Sequence, residues 1–343
     1  MDVKMKIIVD GFGGDNAPLS VLQGCALAVA EYDDVEIIVT GEETKIRKVA
    51  AENNISLHKI EIVDANGVID IEDEPTDILK AKKDCSMAVA FQLLAQGKGD
   101  AFVSGGSTGA IVVGASFLVK RIKGIKRAAL APILPTDTGC YMLMDAGANL
   151  DCRPEMLMQF GIMGSVYMNK IIKVSDPRVG LLNVGAEETK GTDLQLGAYH
   201  LLKQSKLNFC GNVEPRDVPA GVCDVLVTDG FSGNVVLKLT EGLGMTLIGN
   251  IKDIFMKGFF SKIAAAIVLP EMKKFKKKMD YTEYGGAPLM GISKPVIKAH
   301  GSSNAKAFKN AIRQARDFAQ MNVIEEIKTA LSEAPKAEEQ AAE

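Results

Sequence analysis

Short apolar runs that end at glycine turns recur along this chain, at residues 6–9, 35–39, 60–63, 101–103, 142–144, 179–184 and 225–227. Each reads as a strand buried on both faces. Between most of them lie stretches with apolar residues at helical spacing, at 19–30, 84–96, 156–172 and 193–204. Strand and helix in alternation predict an α/β fold built on a doubly wound, mostly parallel sheet. A chain of 343 residues is long enough for one large domain or two ordinary ones. We expect a single catalytic body over residues 1–331.

Composition narrows the classes. With 47% hydrophobic and 24% charged residues, most of the chain is able to bury a core, which excludes general disorder. The exception is 332–343, SEAPKAEEQAAE, which has no apolar residues to dock it and reads as a disordered tail. A formal net charge of -3 gives no global attraction to nucleic acid, so an anionic partner must be met by a local basic patch. Cys25, Cys85, Cys140, Cys152, Cys210 and Cys223 form no C-x-x-C pair and no cluster with His, which predicts buried reduced thiols and no metal site. The first apolar run is too short for a signal peptide, so the expected location is the cytoplasm.

The turns at the carboxyl ends of parallel strands form the ligand crevice of such sheets. Here those turns read GFGGDNAP, SGGSTGA, DAGAN, NVGAEETKGT, GNVEPRD and DGFSGN. Glycine between strand and helix lets backbone N–H groups approach an anion closely. Asn16 stands where a G-x-G-x-x-G fingerprint needs its third glycine, and no P-loop string exists. Residues 105–109, GGSTG, match a nucleophile elbow, for which His200 or His300 could complete a triad. The competing reading makes Ser107 or Thr108 a helix N-cap, and it is preferred because glycine loops generate so short a pattern by chance.

In order, VDGFGGDNAP, VSGGSTGA, MDAGAN, GLLNVGAEETKGT, GNVEPRD, TDGFSGNVVLKLTEG and YGGAPLMGISKPVIKAHGSS resemble the phosphate acyltransferase family of bacterial phospholipid synthesis, from about residue 6 to about residue 318. The resemblance implies a scaffold similar to isocitrate and isopropylmalate dehydrogenases and phosphate acetyltransferases, working as a homodimer without a cofactor. It implies transfer of a long acyl chain from acyl carrier protein to inorganic phosphate, giving acyl phosphate for glycerol-3-phosphate acylation. The family usually has Asn where Ser107 stands, which argues against an obligatory serine nucleophile, and Ala-Met where Gly11 and Phe12 stand.

For that chemistry phosphate is itself the nucleophile, and a thiol of pKa near ~8.5 is a fair leaving group. The protein must hold a dianion beside a thioester and donate hydrogen bonds to a tetrahedral oxyanion. The expected catalytic residues are Lys190, Asn234 and His300. The expected phosphate and substrate contacts are Gly13, Gly14, Asp15, Asn16, Ser107, Thr108, Asn183, Arg216 and Asp229. Lys190 is the first choice for phosphate. Arg216 is open to an alternative, a salt bridge with Glu214 or Asp217. His300 either protonates the thiolate or caps a helix. Asp15 and Asp229 orient loop amides.

Lys120, Arg121, Lys123, Lys126 and Arg127 place five cations in eight residues with no acid, a docking patch for acidic carrier protein or a solvated face. The segment 255–281 falls short of the ~20 apolar residues that span a bilayer. Phe259, Phe260, Ile263, Ile267, Val268 and Leu269, followed by Lys273, Lys274, Lys276, Lys277 and Lys278, predict instead a helical protrusion over 250–281 that lies on an anionic membrane. The alternative is that this face packs in the core or a dimer interface. A direct partner at that membrane would be the glycerol-3-phosphate acyltransferase. Competing functions are a short-chain acyltransferase using coenzyme A, a metal- and NAD-dependent dehydrogenase, a serine hydrolase built on Ser107, and a membrane adaptor without activity.

Overall fold

Runs of Ile and Val that bury both faces pair best side by side with helices above and below. In the computed structural model, which describes residues 4–278 and 284–334, the first half of the chain does this. Strand β1 (Met5–Asp10) leads to helix α1 (Leu19–Glu31), β2 (Val35–Gly41) to α2 (Glu43–Glu52) and β3 (Ile60–Asp64) to α3 (Ser86–Ala95). Strand β4 (Ala101–Ser104) then enters α4 (Thr108–Gly114). These strands lie parallel in the order β3-β2-β1-β4.

The second half repeats the logic in a separate sheet. After the two-residue strand β5 (Ala129–Leu130) come β6 (Ile133–Pro135), β7 (Cys140–Met144), α5 (Pro154–Tyr167), β8 (Arg178–Leu182), α6 (Asp193–Gln204), β9 (Asn208–Val213) and β10 (Val225–Val227). Strands β6 to β10, without β5, form a five-stranded sheet in the order β6-β7-β10-β8-β9, parallel except for β6. Two long helices follow, α7 (Gly230–Met256) and α8 (Phe259–Lys278). The chain then returns to the first sheet with β11 (Ala287–Met290) and β12 (Val296–Lys298), and closes with α9 (Ala305–Gln320) and α10 (Val323–Ser332). Strand β12 pairs in parallel with β4, and β11 bridges β12 to β5 in antiparallel fashion, giving seven strands.

The α/β class and the parallel pairing stand as expected, but the strands divide between two sheets. The elements that make the division, β5, β6, β11 and β12, are two to four residues long and carry no periodicity to detect. A single apolar cluster nevertheless runs through both sheets, joining Val9 and Val103 of the first to Met144 and Val227 of the second. Helix α9 adds to it a buried face of Phe308, Ala311, Ile312, Ala315 and Phe318, and docks on α1. The helix expected over 156–172 is α5 continued by a π-turn, Met168–Ile172.

Toward the carboxyl end, Ser332 is the last residue of α10 and the Glu333 carboxylate meets Lys206 at 3.0 Å, so the first residues assigned to the tail are held by the fold. The remainder, 335–343, lies outside the described residues, as do 279–281 of the expected protrusion and the side chains of Lys276, Lys277 and Lys278. Of the six thiols, Cys25, Cys85, Cys152 and Cys223 are buried, whereas Cys140 is half-buried and Cys210 exposed, which corrects the expectation for those two.

Asp145, at the end of β7, ties the two sheets together. Its buried carboxylate accepts N–H from Leu130 of β5 at 2.9 Å, and from Gly147, Ala148 and Asn149 at 2.8 to 3.2 Å. Burial raises the pKa of Asp145, and these donors oppose the rise. Removing an acceptor of this kind strands several buried donors at about 1–3 kcal/mol each. Asp145→Ala is therefore expected to lower stability by at least about 3 kcal/mol, read as a fall in the urea midpoint, with Asp145→Asn milder.

Candidate functional site

The carboxyl ends of β1, β4 and β12 are neighbours in the first sheet, and the three loops that leave them are pinned to one another. Asp10, buried at the end of β1, accepts from Ser104 Oγ at 2.7 Å and from the Phe12 N–H at 3.3 Å. Ser104 Oγ in turn accepts the Gly106 N–H at 2.9 Å. Gly13 lies against this pair so closely that a Cβ there would meet Ser104 Oγ, Asp10 and the Gly106 nitrogen. Gly14 has φ +117°, a conformation that side chains rarely adopt. The Asp15 N–H donates to the Gly301 carbonyl at 2.8 Å, which joins the first loop to the His300 turn.

Opposite stand the loops of the second sheet. The Asp145 turn carries Ala146 and Gly147, and the Gly230 N–H donates to the Asn149 carbonyl at 2.7 Å, seating the start of α7 on that turn. Asp229 caps α7 by accepting the Ser232 N–H at 2.9 Å. One turn into the helix, Asn234 packs on Gly147.

Between the two sets of loops lies a cleft of about 340 Å³. Leu130, Ile133, Leu134 and Leu237 make one apolar wall, while Thr108, Asn234, Lys238, Glu241, Lys298 and His300 supply the polar groups. An apolar wall with a few convergent polar groups is the usual form of a small-molecule site. Lys298, the last residue of β12, lies mostly surrounded by protein, and its ammonium donates to the carbonyls of Gly105 at 3.3 Å and Ala299 at 2.5 Å. Burial pulls its pKa down to about 8, with Lys238 acting in the same direction and Asp15 opposing. His300 Nδ1 lies 2.8 Å from Ser302 Oγ and 3.3 Å from the Ser302 backbone nitrogen, which fixes the ring against its own turn. Desolvation also lowers the His300 pKa, so the ring is mostly neutral at pH 7. Lys238 is paired with Glu241 at 2.9 Å.

Of the residues expected at the site, Thr108, Asn234 and His300 line the cleft, Gly14 and Asp15 support its His300 turn, and Gly13 packs on the loop after β4. Asn16 is exposed and its carbonyl accepts the Ser20 N–H. Asn183 and Lys190 sit together after β8, with Asn183 Nδ2 donating to the Lys190 carbonyl at 3.0 Å, but they are not among the cleft lining, and Lys190 is exposed. Arg216 is held at the surface by Glu214 at 3.2 Å and Asp217 at 3.9 Å, the salt-bridge alternative. Sequence reasoning missed Lys298, Lys238 and Glu241. Lys298 had a usable signal, a cation closing an apolar strand two residues before a His-Gly turn.

The nucleophile elbow is not assembled. Ser107 is the N-cap of α4, its Oγ accepting the Ala110 N–H at 3.5 Å, while His200 is bonded to Gln204 on α6 and His300 to Ser302. The five cations at 120–127 are all exposed in a loop anchored by buried Ile122 and Ile125, with Arg121 donating to the Lys126 carbonyl at 2.9 Å.

The profile of the fatty acid synthesis protein family matches residues 5–326. A phosphate acyltransferase from Clostridium botulinum is 49% identical over 327 residues, covering 95% of this chain and 98% of that protein. One from Alkaliphilus oremlandii is 46% identical over 96% of this chain and 98% of its own length. The chain belongs to the phosphate acyltransferase family. Among solved structures, a phosphotransacetylase from Streptococcus pyogenes is similar with TM-score 0.64 and 21% identity, covering 94% of both chains. The EutD phosphotransacetylase from Staphylococcus aureus is similar with TM-score 0.61 and 18% identity, covering 92% of this chain and 94% of its own. At those identities the likeness speaks for the fold.

For this family member the cap geometry makes a specific forecast about Ser107. Ser107→Ala should cost about 1 kcal/mol of stability, as loss of an N-cap does. Acyl-transfer turnover should stay within roughly fivefold of wild type in a steady-state assay, whereas loss of a triad serine removes several orders of magnitude.

Proposed function

We propose that the protein transfers a long acyl chain from acyl carrier protein to inorganic phosphate, giving acyl phosphate for glycerol-3-phosphate acylation. The observation that carries this reading is the cleft itself, where hydrogen-bond donors and a cation face an apolar wall between two sheets. A phosphate oxygen attacks the thioester carbon and forms a C–O bond. The carbonyl oxygen becomes an oxyanion, and its collapse breaks the C–S bond with the electron pair leaving on sulfur. The amide of Asn234 and the hydroxyl of Thr108 are the side-chain donors suited to the oxyanion. The apolar wall suits the first carbons of the acyl chain and excludes water that would hydrolyse the product. Neutral His300, its pKa lowered by desolvation, is suited to hydrogen-bond the substrate rather than to deliver a proton.

The reading extends to partners. The exposed loop cations Lys120, Arg121, Lys123, Lys126 and Arg127 dock the acidic carrier, and the protein works as a homodimer on the cytoplasmic face of the membrane. Purified protein given palmitoyl carrier protein should form acyl phosphate only when phosphate is present. No acyl phosphate, or equal turnover without phosphate, would sink the reading. In the same assay Lys123→Glu with Lys126→Glu should weaken carrier use and its salt dependence while small thioesters turn over normally.

The membrane surface is met by α7 and α8, which pack on one another. Phe259, Phe260, Ile263, Ile267, Val268 and Leu269 are all exposed, as are Leu243, Leu247 and Ile254 of α7, so this face is not buried in the core. Among the described residues no helix is long and apolar enough to cross a membrane. An exposed apolar face beside Lys273 and Lys274 fits insertion into the headgroup boundary. Phe260→Asp with Ile267→Asp should lower co-sedimentation with anionic liposomes by at least about tenfold, while turnover in solution persists. Undiminished binding would assign the face to a protein contact instead.

A further inference from the structure

Lys190, the lysine that the sequence offers for phosphate, is exposed and is not among the residues lining the cleft. Two lysines do line it. Lys238 has its charge answered by Glu241, whose side chain is 15% exposed. Lys298 is different. Among the described residues its ammonium is ion-paired to no carboxylate, and it donates only to two backbone carbonyls, those of Gly105 and Ala299. A cation set into a protein wall, hydrogen-bonded to neutral carbonyls and supported by Asp15 without an ion pair, is costly unless an anion joins it. The Gly105 carbonyl comes from the loop that follows β4, so the ammonium reaches across from β12 to the turn that presents Thr108 to the cleft. An anion bound there lies beside the donors assigned above to the thioester oxyanion.

We propose that Lys298 is the cation that holds the attacking inorganic phosphate in the cleft. The inference rests on the phosphate-acylating reading for its role in turnover, but not for the binding itself. Phosphate oxygens add charge-assisted hydrogen bonds to an ammonium that otherwise meets only neutral carbonyls, and the nucleophile is held at the apolar wall where the thioester must lie. The groups whose charges act on Lys298 and its neighbour His300 are Asp15 from the first loop and Lys238 and Glu241 from α7. Asp15 is the acid that supports the charged form of Lys298, and Lys238 opposes it. Because burial already holds the free ammonium near about 8, phosphate affinity in the wild type should weaken as pH rises through that value. Lys298→Arg, which stays charged, should lose that weakening.

The test uses the full chain and inorganic phosphate alone as the probe, by calorimetry from pH 6.5 to 9.5, followed by steady-state kinetics. Lys298→Met, which keeps an unbranched apolar stem, should raise the phosphate Kd and KM at least tenfold while the acyl-donor KM moves little. Lys298→Arg should recover part of the binding. Lys190→Ala serves as the rival. If Lys190→Ala alone raises the phosphate KM and Lys298→Met does not, the phosphate site belongs to the β8 loop and the inference is overturned. A wild-type affinity for phosphate that does not weaken between pH 8 and 9.5 also overturns it, and that arm needs no variant to fold. If the wild type binds phosphate through Lys298 yet makes no acyl phosphate, the proposed reaction fails and the phosphate site stands.

Discussion

The carboxylate of Asp145 sits where the two sheets meet. It sits at the end of β7 in the second sheet and takes the N–H of Leu130 from β5 in the first. The chain crosses between sheets only a few residues after Leu130, so both the crossing and the turn after β7 are organised by the same buried acceptor. A buried carboxylate is tolerated only when its lone pairs are used, and here five N–H groups use them, one of them the Asn149 side chain at 2.9 Å. The Asn149 side chain also donates to the Ala128 carbonyl at 2.6 Å, a second tie toward β5. The walls of the cleft inherit their spacing from these bonds, because Leu130, Ala146 and Gly147 are at once ligands or neighbours of Asp145 and lining residues.

On the facing side Asp10 does the equivalent work within one sheet. Its bonds to Ser104 and the Phe12 amide bring the loops after β1 and β4 into register, and the close approach at Gly13 leaves no room for a side chain. The cleft therefore has two rigid lips. Binding groups held on strand ends and helix starts lose little freedom when a ligand arrives, which is what acyl transfer to phosphate needs. The polar groups face an apolar wall, so electrostatic interactions there are screened less than at the surface.

The α7–α8 pair is the part of the molecule least explained by its own packing. Helix α7 begins inside the site, with Asn234 and Lys238 on the cleft, and carries on as a helix whose later apolar residues are exposed. The segment that would meet a lipid surface is thus the continuation of the helix that lines the site. A helix of 27 residues is about 40 Å long at 1.5 Å per residue, so the two ends of α7 are far apart. The cleft and an apolar surface outside it are joined by one helix.

Much of this was legible before any coordinates. The seven apolar runs are strands, and the helical stretches at 19–30, 84–96 and 193–204 are α1, α3 and α6 within two residues at each end. Local periodicity decides such elements because a buried strand or amphipathic helix is written in consecutive residues. The glycine turns likewise pointed to a crevice, and Thr108, Asn234 and His300 in or beside them line the cleft. What only the tertiary structure decided are the relations between distant segments. The division into two sheets depends on strands of two to four residues that exist because a partner is present, β5 against β11 above all. The same holds for charge: sequence shows Lys190, Arg216 and Lys298 as cations in or beside glycine turns, and three-dimensional neighbours separate them. Arg216 is answered by acids close in the chain, Lys190 faces solvent, and Lys298 is enclosed by β12 and the loop after β4, almost two hundred residues apart in sequence. Local patterning is a property of consecutive residues, whereas desolvation and ion pairing are set by whatever the fold brings alongside.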